Sequence, residues 1–202
     1  MNRKQKSAII GMILGDAFLQ KTGEKNARIR LEHSDKQRDY LVWKAGFFPE
    51  FFQGKPFFLE RFNPCYQKTY RYVRWQSTAS PEIGKMRKLF YEQGRKKIPT
   101  NLPLLFYDPL ALAIWYMDDG YLYHRDKMVY IYLPQYTPEE QKILLETLKS
   151  NFGLKPILKT KKKRNQVLIF SVEETKKFLS LVKPFIISSM KYKLLNPVST
   201  EA

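Results

Sequence analysis

The chain of 202 residues has one cysteine, Cys65, and two histidines. A single cysteine excludes an internal disulfide and any zinc site built from several cysteines, and two histidines provide too few ligands for a metal site made mainly of imidazole. Any metal ion that binds here is therefore expected to be a hard cation with oxygen ligands. Mg²⁺ fits this description, with Mn²⁺ or Ca²⁺ as substitutes.

Long apolar runs are also missing. No stretch reaches the ~18 apolar residues of a membrane span. The apolar stretch near the N-terminus is interrupted by Asp16, where a signal peptide would have a small-residue cleavage site. We therefore expect an intracellular protein of a bacterial cytoplasm or an organelle, which is neither secreted nor bound to a membrane. The chain also contains no G-x-G-x-x-G motif, so a dinucleotide-binding enzyme is not expected.

Acidic residues are scarce. The chain has 19 Asp and Glu against 36 Lys and Arg, a formal net charge of +17 and a pI near 9.8. Such an excess predicts a polyanionic partner, most simply nucleic acid, because neutralisation of phosphates dominates this kind of binding. The hydrophobic fraction of 44% is enough for a core in one large or two small domains.

The chain contains an internal repeat. Two apolar helical runs, residues 9–17 and 112–120, each end at an acid, Asp16 and Asp119, and these acids lie roughly half the chain apart. After each acid come two stretches that alternate bulky and polar side chains, as half-buried hairpins do, then a helix, another strand pair and a closing helix. The sequence therefore predicts an α+β protein with the order α-β-β-α-β-β-α, twice.

Helix start signals support this order. Ser34 and Thr137 each have Gln or Glu three residues later, which is the capping-box pattern. Asp108 followed by Pro109 is a favourable N-cap and first helical residue.

A connector separates the two copies. Residues 95–103 are first basic and then punctuated by proline. We therefore place the boundary near residue 100 and predict two domains, residues 1–100 and 101–202.

The two acids end their helices at the terminus with partial negative charge. Carboxylates brought together there repel each other, and a cation such as Mg²⁺, which binds few carboxylates plus waters and phosphates, would relieve the repulsion. Gly11 and Gly15 share one helix face although glycine costs about 1 kcal/mol in a helix interior. This favours close packing of the two helices, and the alternative is a buried helix that simply tolerates glycine.

Around these residues the chain resembles the LAGLIDADG homing endonucleases, in their monomeric branch with two motifs. Laid on the nine-residue motif, Asp16 and Asp119 take the last acidic position, which binds metal in the family. The resemblance covers nearly the whole chain and is stronger in the second half. It includes residues 96–102, 115–120, 183–186 and 190–194.

The match has departures. Ala17 replaces the final motif glycine in the first copy, and Leu14 and Met117 replace the first motif acid. Ile114 stands in mid-helix of the second copy where the family has glycine, which puts the tightness of the helix contact in question. None of these changes removes the metal-binding acid.

The resemblance implies two pseudo-symmetric αββαββα repeats with saddle-shaped antiparallel sheets and a central interface of two helices. It implies a monomer that binds double-stranded DNA and makes a metal-dependent double-strand break in a long site. One acid from each copy would share metal, and each copy would serve one strand. Metal-activated water would attack the phosphodiester in line.

The resemblance also implies roles for the neighbours of the acids. The backbone carbonyls of Gly15 and Asp118 could complete the metal coordination, and the Asp118 side chain is an alternative ligand to Asp119. A lysine ends each copy of the family pattern, and Lys96 and Lys193 match it. The alternative for these lysines is a phosphate contact or a solvated surface group.

A polar residue after the second strand of each copy orders active-site water in the family. Gln135 takes this place in the second copy, and His33 was matched to it in the first. The alternative is that both residues merely end a strand. We interpret Glu32, Asp35 and Asp126 as ordinary loop or surface acids.

DNA contacts are expected from the strand pairs, where alternate residues face one side. Arginine reads guanine edges with two hydrogen bonds, whereas lysine mostly neutralises phosphate. The interleaved aromatic residues of the first copy are expected to pack on the sheet rather than stack on bases. The predicted DNA-binding residues are Arg28, Arg30, Arg61, Lys68, Arg71, Arg74, Lys159, Lys161, Lys162, Lys163 and Arg164. Because the copies differ in nearly all of them, the target is expected to be asymmetric.

Two other functions fit the same fold. An RNA maturase would bind intron RNA and assist splicing, without a need for the catalytic acids. A non-catalytic DNA-binding regulator would be expected to have lost an acid or a lysine in at least one copy, and both pairs are present.

Overall fold

The computed structural model describes residues 1–160 and 166–195. The chain divides into two compact units, Met1–Lys96 and Lys97–Ala202. Both units have the predicted order α-β-β-α-β-β-α, so the predicted α+β class and the duplication are confirmed. Within the described ranges, no helix has both the length and the apolar character that a membrane crossing requires.

The first unit consists of three helices, a four-stranded antiparallel sheet and a small terminal hairpin. Its elements are α1 (Arg3–Leu14), β1 (Phe18–Lys21), β2 (Ala27–Ser34), α2 (Arg38–Ala45), β3 (Phe57–Asn63), β4 (Lys68–Gln76), α3 (Pro81–Phe90), β5 (Tyr91–Glu92) and β6 (Arg95–Lys96). The sheet has the order β1-β2-β4-β3, and α2 and α3 pack on one of its faces.

The second unit repeats this plan after a short additional helix. Its elements are α4 (Leu102–Leu105), α5 (Pro109–Asp119), β7 (Gly120–Tyr123), β8 (Met128–Leu133), α6 (Pro138–Phe152), β9 (Ile157–Thr160), β10 (Gln166–Ile169) and α7 (Val172–Val182). The sheet has the order β7-β8-β10-β9. Two short 3₁₀ helices, Lys183–Phe185 and Ser188–Lys193, follow α7.

Caps begin the helices where the sequence predicts them, with one exception. Thr137 and Glu140 form the predicted capping box of α6, and Asp108 accepts a hydrogen bond from Leu110 N at the start of α5. The predicted box at Ser34 is wrong. Ser34 belongs to β2 and pairs with Tyr72 there, so its backbone is extended, and a 3₁₀ turn precedes α2 instead.

Period-two alternation gives β2, β7 and β8 one buried and one more exposed side, whereas all four residues of β10 are buried. In β2, Ala27, Ile29, Leu31 and His33 are buried, and the residues between them are partly exposed. Helix α3 also packs closely against the turn between β1 and β2: a Cβ added at Gly84 of α3 would lie 1.9 Å from the carbonyl oxygen of Lys25. The alternation thus separates a structural face from a face available for a ligand.

Candidate active site and nucleic-acid interface

The first unit presents an acid immediately after its apolar helix. α1 ends at Leu14, and the Gly15 N–H closes the last turn on Gly11 O at 3.0 Å. Asp16 follows, with 47% of its side chain exposed, and its Oδ2 lies 3.9 Å from Nδ1 of the buried His33. An exposed carboxylate is an oxygen donor of the kind that a hard cation prefers.

A lysine from the end of the same unit reaches this helix terminus. The β5–β6 hairpin carries Lys96, whose Nζ donates a hydrogen bond to Gly15 O at 2.5 Å. The last turn of α1 contains no basic residue of its own. Lys96 therefore supplies the positive charge that a helix C-terminus favours, one residue away from Asp16.

The second unit also presents acids at the end of its apolar helix, but a glycine follows them where the first unit has alanine. α5 runs to Asp119, and Asp118 and Asp119 are both partly exposed. Gly120 begins β7 directly, and a Cβ there would lie 2.0 Å from Cδ2 of the Tyr116 ring. Glycine at the final motif position is therefore required in this unit, whereas the first unit has the buried Ala17 at the same place.

Lys193 is buried against the C-terminal end of α5. Its Nζ donates to the carbonyl oxygens of Tyr116 at 3.2 Å, Met117 at 2.5 Å and Gly120 at 2.8 Å. The Tyr116 hydroxyl in turn donates to Lys193 O at 2.6 Å. Burial raises the pKa of Tyr116, and the nearby Tyr192 raises it further. The phenol thus remains a neutral donor, and the ammonium is held by three carbonyls.

Each unit therefore assembles a carboxylate, a helix C-terminus and a lysine from opposite ends of its own chain segment. The acids at both helix ends supply carboxylate oxygens, which a hard divalent cation prefers, and in the first unit the His33 imidazole lies beside the carboxylate. The Gly15 carbonyl, predicted as a metal ligand, already accepts a hydrogen bond from Lys96. A carbonyl oxygen has two lone pairs, so this contact uses one of them.

His33 and Gln135 do not occupy matching places. Phe18, two residues after Asp16, pairs with Arg30, and Tyr121, two residues after Asp119, pairs with Tyr130. Three residues further along each strand lie His33 and Leu133. Gln135 is exposed in the loop beyond β8. The predicted correspondence between His33 and Gln135 is therefore wrong. The second strand is longer in the first unit, with eight residues in β2 and six in β8, so His33 still lies within its strand.

The exposed face of the first sheet carries most of the predicted DNA-binding residues of that unit. The strand register places on this face Arg28, Arg30, Arg61, Lys68 and Arg74. Arg71 lies on the opposite face, which also carries the buried Val73, with its Nε 3.4 Å from Glu60 Oε1. The structure therefore does not group Arg71 with the other arginines, because Arg71 lies three residues before Arg74 in β4 and so points to the opposite side of the sheet.

Glu32 lies among these arginines and binds two of them, so it is not the ordinary surface acid that the sequence suggests. Its Oε1 lies 2.7 Å from Arg61 Nη1, and its Oε2 accepts hydrogen bonds from Nε and Nη2 of Arg74, both at 2.5 Å. Burial alone would raise the pKa of Glu32, but the hydrogen bonds and charges of the two arginines outweigh it and lower the pKa. The alternation Arg28-x-Arg30-x-Glu32 was the available signal, since it places all three on one face.

The exposed face of the second sheet is rich in tyrosine. Tyr121, Tyr123, Tyr130 and Tyr132 alternate with buried residues of β7 and β8. Lys159, a predicted DNA-binding residue, is exposed in β9 and joins this face through the register. Two Tyr-x-Tyr patterns with apolar residues between them were the signal for this face. The predicted residues Lys161, Lys162, Lys163 and Arg164 lie outside the residues that the structure describes.

Comparison with known proteins gives consistent matches. Residues 6–178 match the model of the LAGLIDADG DNA endonuclease family. A probable intron-encoded endonuclease of Wickerhamomyces canadensis is 28% identical, over 96% of this chain and 85% of that protein. The RecA protein of Mycolicibacterium fallax is 30% identical, but the chain spans only about half of that protein's length, 47%. The cytochrome b mRNA maturase bI2 of Debaryomyces hansenii is 25% identical, over 97% of this chain and 75% of that protein.

Solved structures agree with these matches. The homing endonuclease I-WcaI bound to its DNA recognition sequence superposes with a TM-score of 0.87 at 28% identity, over 97% of this chain and 88% of that one. I-DmoI in complex with DNA and Mn gives a TM-score of 0.54 at 14% identity, over 89% of this chain and 96% of that one, which shows a shared fold.

Proposed function

The chain belongs to the LAGLIDADG DNA endonuclease family, and we propose on that basis that it is a sequence-specific homing endonuclease. It would make a metal-dependent double-strand break in a long, asymmetric DNA site by phosphodiester hydrolysis. One observation carries the proposal: each unit places an acid at the end of its apolar helix and a lysine against the carbonyls of that end. A domain that only binds nucleic acid has no need to build this arrangement twice.

Asp16 and Asp119 are the proposed metal-binding carboxylates, and the carbonyls of Gly15 and Asp118 are further candidate ligands for Mg²⁺. When bound, the ion supplies a Lewis acid that activates water and neutralises charge on the phosphate. Asp16 is suited to this role because almost half of its side chain is exposed. The buried His33 lies beside it, with its Nδ1 3.9 Å from Asp16 Oδ2. Gln135 remains a candidate for ordering water and is exposed in the loop that follows β8.

The lysines are proposed to stabilise charge that develops on the phosphate. The ammonium of Lys193 has three N–H groups, and three carbonyl oxygens accept from it. It therefore acts as a fixed positive charge rather than as a proton donor. Lys96 is partly exposed, whereas Lys193 is buried, so the Lys96 ammonium is better placed to contact the DNA.

The exposed sheet faces are the proposed DNA-binding surfaces. The first contributes the guanidinium groups that read guanine, and the second contributes Lys159 and the tyrosines. The basic residues 161–164 are proposed to contact the DNA backbone. The homing endonuclease I-WcaI, which resembles this chain over nearly its full length, binds a DNA recognition sequence. Two faces of different composition imply a target whose two halves differ.

Cleavage selection tests the proposal directly. The wild-type protein, Asp16→Asn and Asp119→Asn are incubated with a randomised duplex library and Mg²⁺, and the cut molecules are sequenced. We expect cuts at one long asymmetric sequence with short 3′ overhangs, lost in either variant. Asp39→Asn is the matched control, because Asp39 is an exposed acid at the start of α2. Specific DNA binding without Mg²⁺-dependent cuts would overturn the enzymatic part of the proposal.

RNA maturation is a second candidate, favoured by the similarity to the bI2 maturase. It would not require the carboxylates. Splicing of a candidate intron RNA is measured in the presence of the wild-type protein and of the doubly substituted Asp16→Asn, Asp119→Asn protein. Equal stimulation by both would support a maturase activity, and no stimulation by either would exclude it.

A further inference from the structure

Glu32 is an acid on a sheet face that is rich in arginine and aromatic residues. An acid there repels phosphates, and the chain has 36 basic residues with which to bind them. Isolated surface ion pairs contribute only about 0–1 kcal/mol to stability. Neither affinity for DNA nor stability therefore accounts well for a carboxylate at this position.

The contacts of Glu32 suggest what it does instead. One carboxylate oxygen binds Arg61 and the other binds two nitrogens of Arg74, so a single side chain joins two guanidinium groups from neighbouring strands. Only 22% of the Glu32 side chain is exposed. Both oxygens are already engaged, which leaves the carboxylate poorly suited to accept a hydrogen bond from a base itself.

Aromatic rings hold the same two guanidinium groups from another side. The Arg61 guanidinium lies 4.8 Å from the centroid of the Tyr72 ring, and that of Arg74 lies 5.9 Å from the centroid of Phe57. A planar guanidinium that is bound at its edge by a carboxylate and at its face by a ring loses most of its rotational freedom. Its remaining N–H groups then have a defined direction, which recognition of guanine O6 and N7 requires.

We propose that Glu32 is a specificity-determining positioning residue, which holds Arg61 and Arg74 in the orientation that reads bases and keeps them from moving to phosphates. The inference rests on the proposed function, because it concerns the same DNA-binding face. Glu32 acts through the arginines and is not itself a base-contacting residue. The cost is a weaker general attraction for DNA, and the gain is discrimination between sequences.

The test compares Glu32→Gln with wild type on the preferred target and on all its single base-pair substitutions. We expect about tenfold loss of discrimination at the positions that Arg61→Ala and Arg74→Ala also relax. Binding to random DNA should strengthen, and the slope of log affinity against log salt should become steeper by about one unit, because one acid no longer offsets an arginine. A purely structural role would move neither base preference nor salt slope.

Glu60→Gln is the matched control. Glu60 also pairs with an arginine, Arg71, but on the opposite face of the same sheet, and its substitution should change neither quantity. Glu32→Tyr is a second variant in case glutamine impairs folding, because Tyr132 occupies the matching place in the second unit.

Three outcomes would overturn the inference. Wild-type base preferences in a folded Glu32 variant would overturn the inference alone. So would a change confined to cytosines away from the positions of Arg61 and Arg74, which would make Glu32 a direct reader. If the wild-type protein prefers no sequence at all, the proposed function and this inference both fail.

Discussion

The two units share one fold and differ in the chemistry of their exposed sheet faces. When the strand registers of the two units are aligned, Arg30 of β2 corresponds to Tyr130 of β8, and Glu32 corresponds to Tyr132. The buried residues between them, Leu31 and Ile131, are apolar in both units. In both β2 and β8, every second residue is buried and builds the core. The residues between them differ between the units and are available to contact a ligand.

The helix ends show a second difference. Lys96 is partly exposed and donates to the Gly15 carbonyl, whereas Lys193 is buried and donates to the carbonyls of Tyr116, Met117 and Gly120. The same proposed chemical role is thus combined with different structural roles. In the second unit the lysine also caps α5 and closes a reciprocal contact with Tyr116.

Replacing each lysine with methionine separates these roles and should give the largest effects. We expect Lys96→Met and Lys193→Met each to lower single-turnover cleavage by about 100-fold, because each removes a charge near a proposed scissile phosphate. Only Lys193→Met should also lower the free energy of unfolding substantially, by about 2 kcal/mol, since it removes a buried donor from three carbonyl oxygens, of which that of Tyr116 keeps a second donor, the Gly120 N–H. Denaturant unfolding measures this quantity.

Lys85→Met serves as the control, because Lys85 is exposed on α3, and it should change neither measurement. Equal losses of stability in Lys96→Met and Lys193→Met would contradict the structural distinction between the two helix ends.

The final motif position provides the next comparison. Gly120→Ala should destabilise the protein by about 1–3 kcal/mol, because the added Cβ overlaps the Tyr116 ring. Ala17→Gly should cost only about 0.8 kcal/mol, since it removes one buried methyl group. Thermal unfolding of both variants checks the order of the two effects. A Gly120→Ala protein as stable as wild type would mean that Tyr116 can move aside, and the requirement for glycine would be wrong.

Most of the fold could be predicted from the sequence because its signals are local. The box at Thr137 and the cap at Asp108 depend on residues within one helical turn. Strand alternation likewise separates the two sheet faces without knowledge of the partner strands. Ser34 misled the prediction because a strand pairing with Tyr72 outweighs a local capping pattern.

The site was harder to predict, since it depends on pairing between distant residues. The acids follow from the motif, but the contacts of Lys193 with α5 join positions more than 70 residues apart. The side of the sheet on which Arg71 lies depends on the register of β3, β4 and β2. So does the Glu32 clamp, by which we mean the contacts of Glu32 with Arg61 and Arg74. Register is fixed by the packed sheet and not by any one strand.

Substitutions on the two faces should produce smaller effects that differ in kind. Arg30→Ala should cost about 1–3 kcal/mol of specific binding and relax preference for guanine in one half of the site. Tyr130→Ala should cost about 1 kcal/mol and change preferences in the other half, without altering the dependence on salt, because tyrosine is neutral. Binding to single-substitution libraries at several salt concentrations measures both. Changes at the same base pairs in both variants would contradict the assignment of one half-site to each unit.

The pH dependence of stability gives the smallest effect and probes the Glu32 clamp without DNA. The folded-state pKa of Glu32 is lowered, so at acidic pH the unfolded chain takes up a proton at this residue before the folded protein does. The stabilisation by the ionised carboxylate is thus present above its ordinary pKa of 4.5 and is lost as the pH falls through the folded-state value. At pH 7 wild type should be more stable than Glu32→Gln by less than ~1 kcal/mol, seen as a higher Tm, and this advantage should shrink as the pH falls below 4.5.

A comparison with the second unit makes this last measurement specific. The pKa of Glu174 is also lowered: burial alone would raise it, but the hydrogen bonds from the Lys155 N–H and from Lys177 outweigh that effect. Glu174→Gln should therefore lose its difference from wild type over a similar acidic range, although it has no part in the proposed DNA-binding face. Both carboxylates would then stabilise the fold through ionic contacts, and only Glu32→Gln would alter base preference. A Tm difference for Glu32→Gln that persists unchanged at pH 3 would show that the carboxylate does not act through its charge, and the clamp would lose its electrostatic basis.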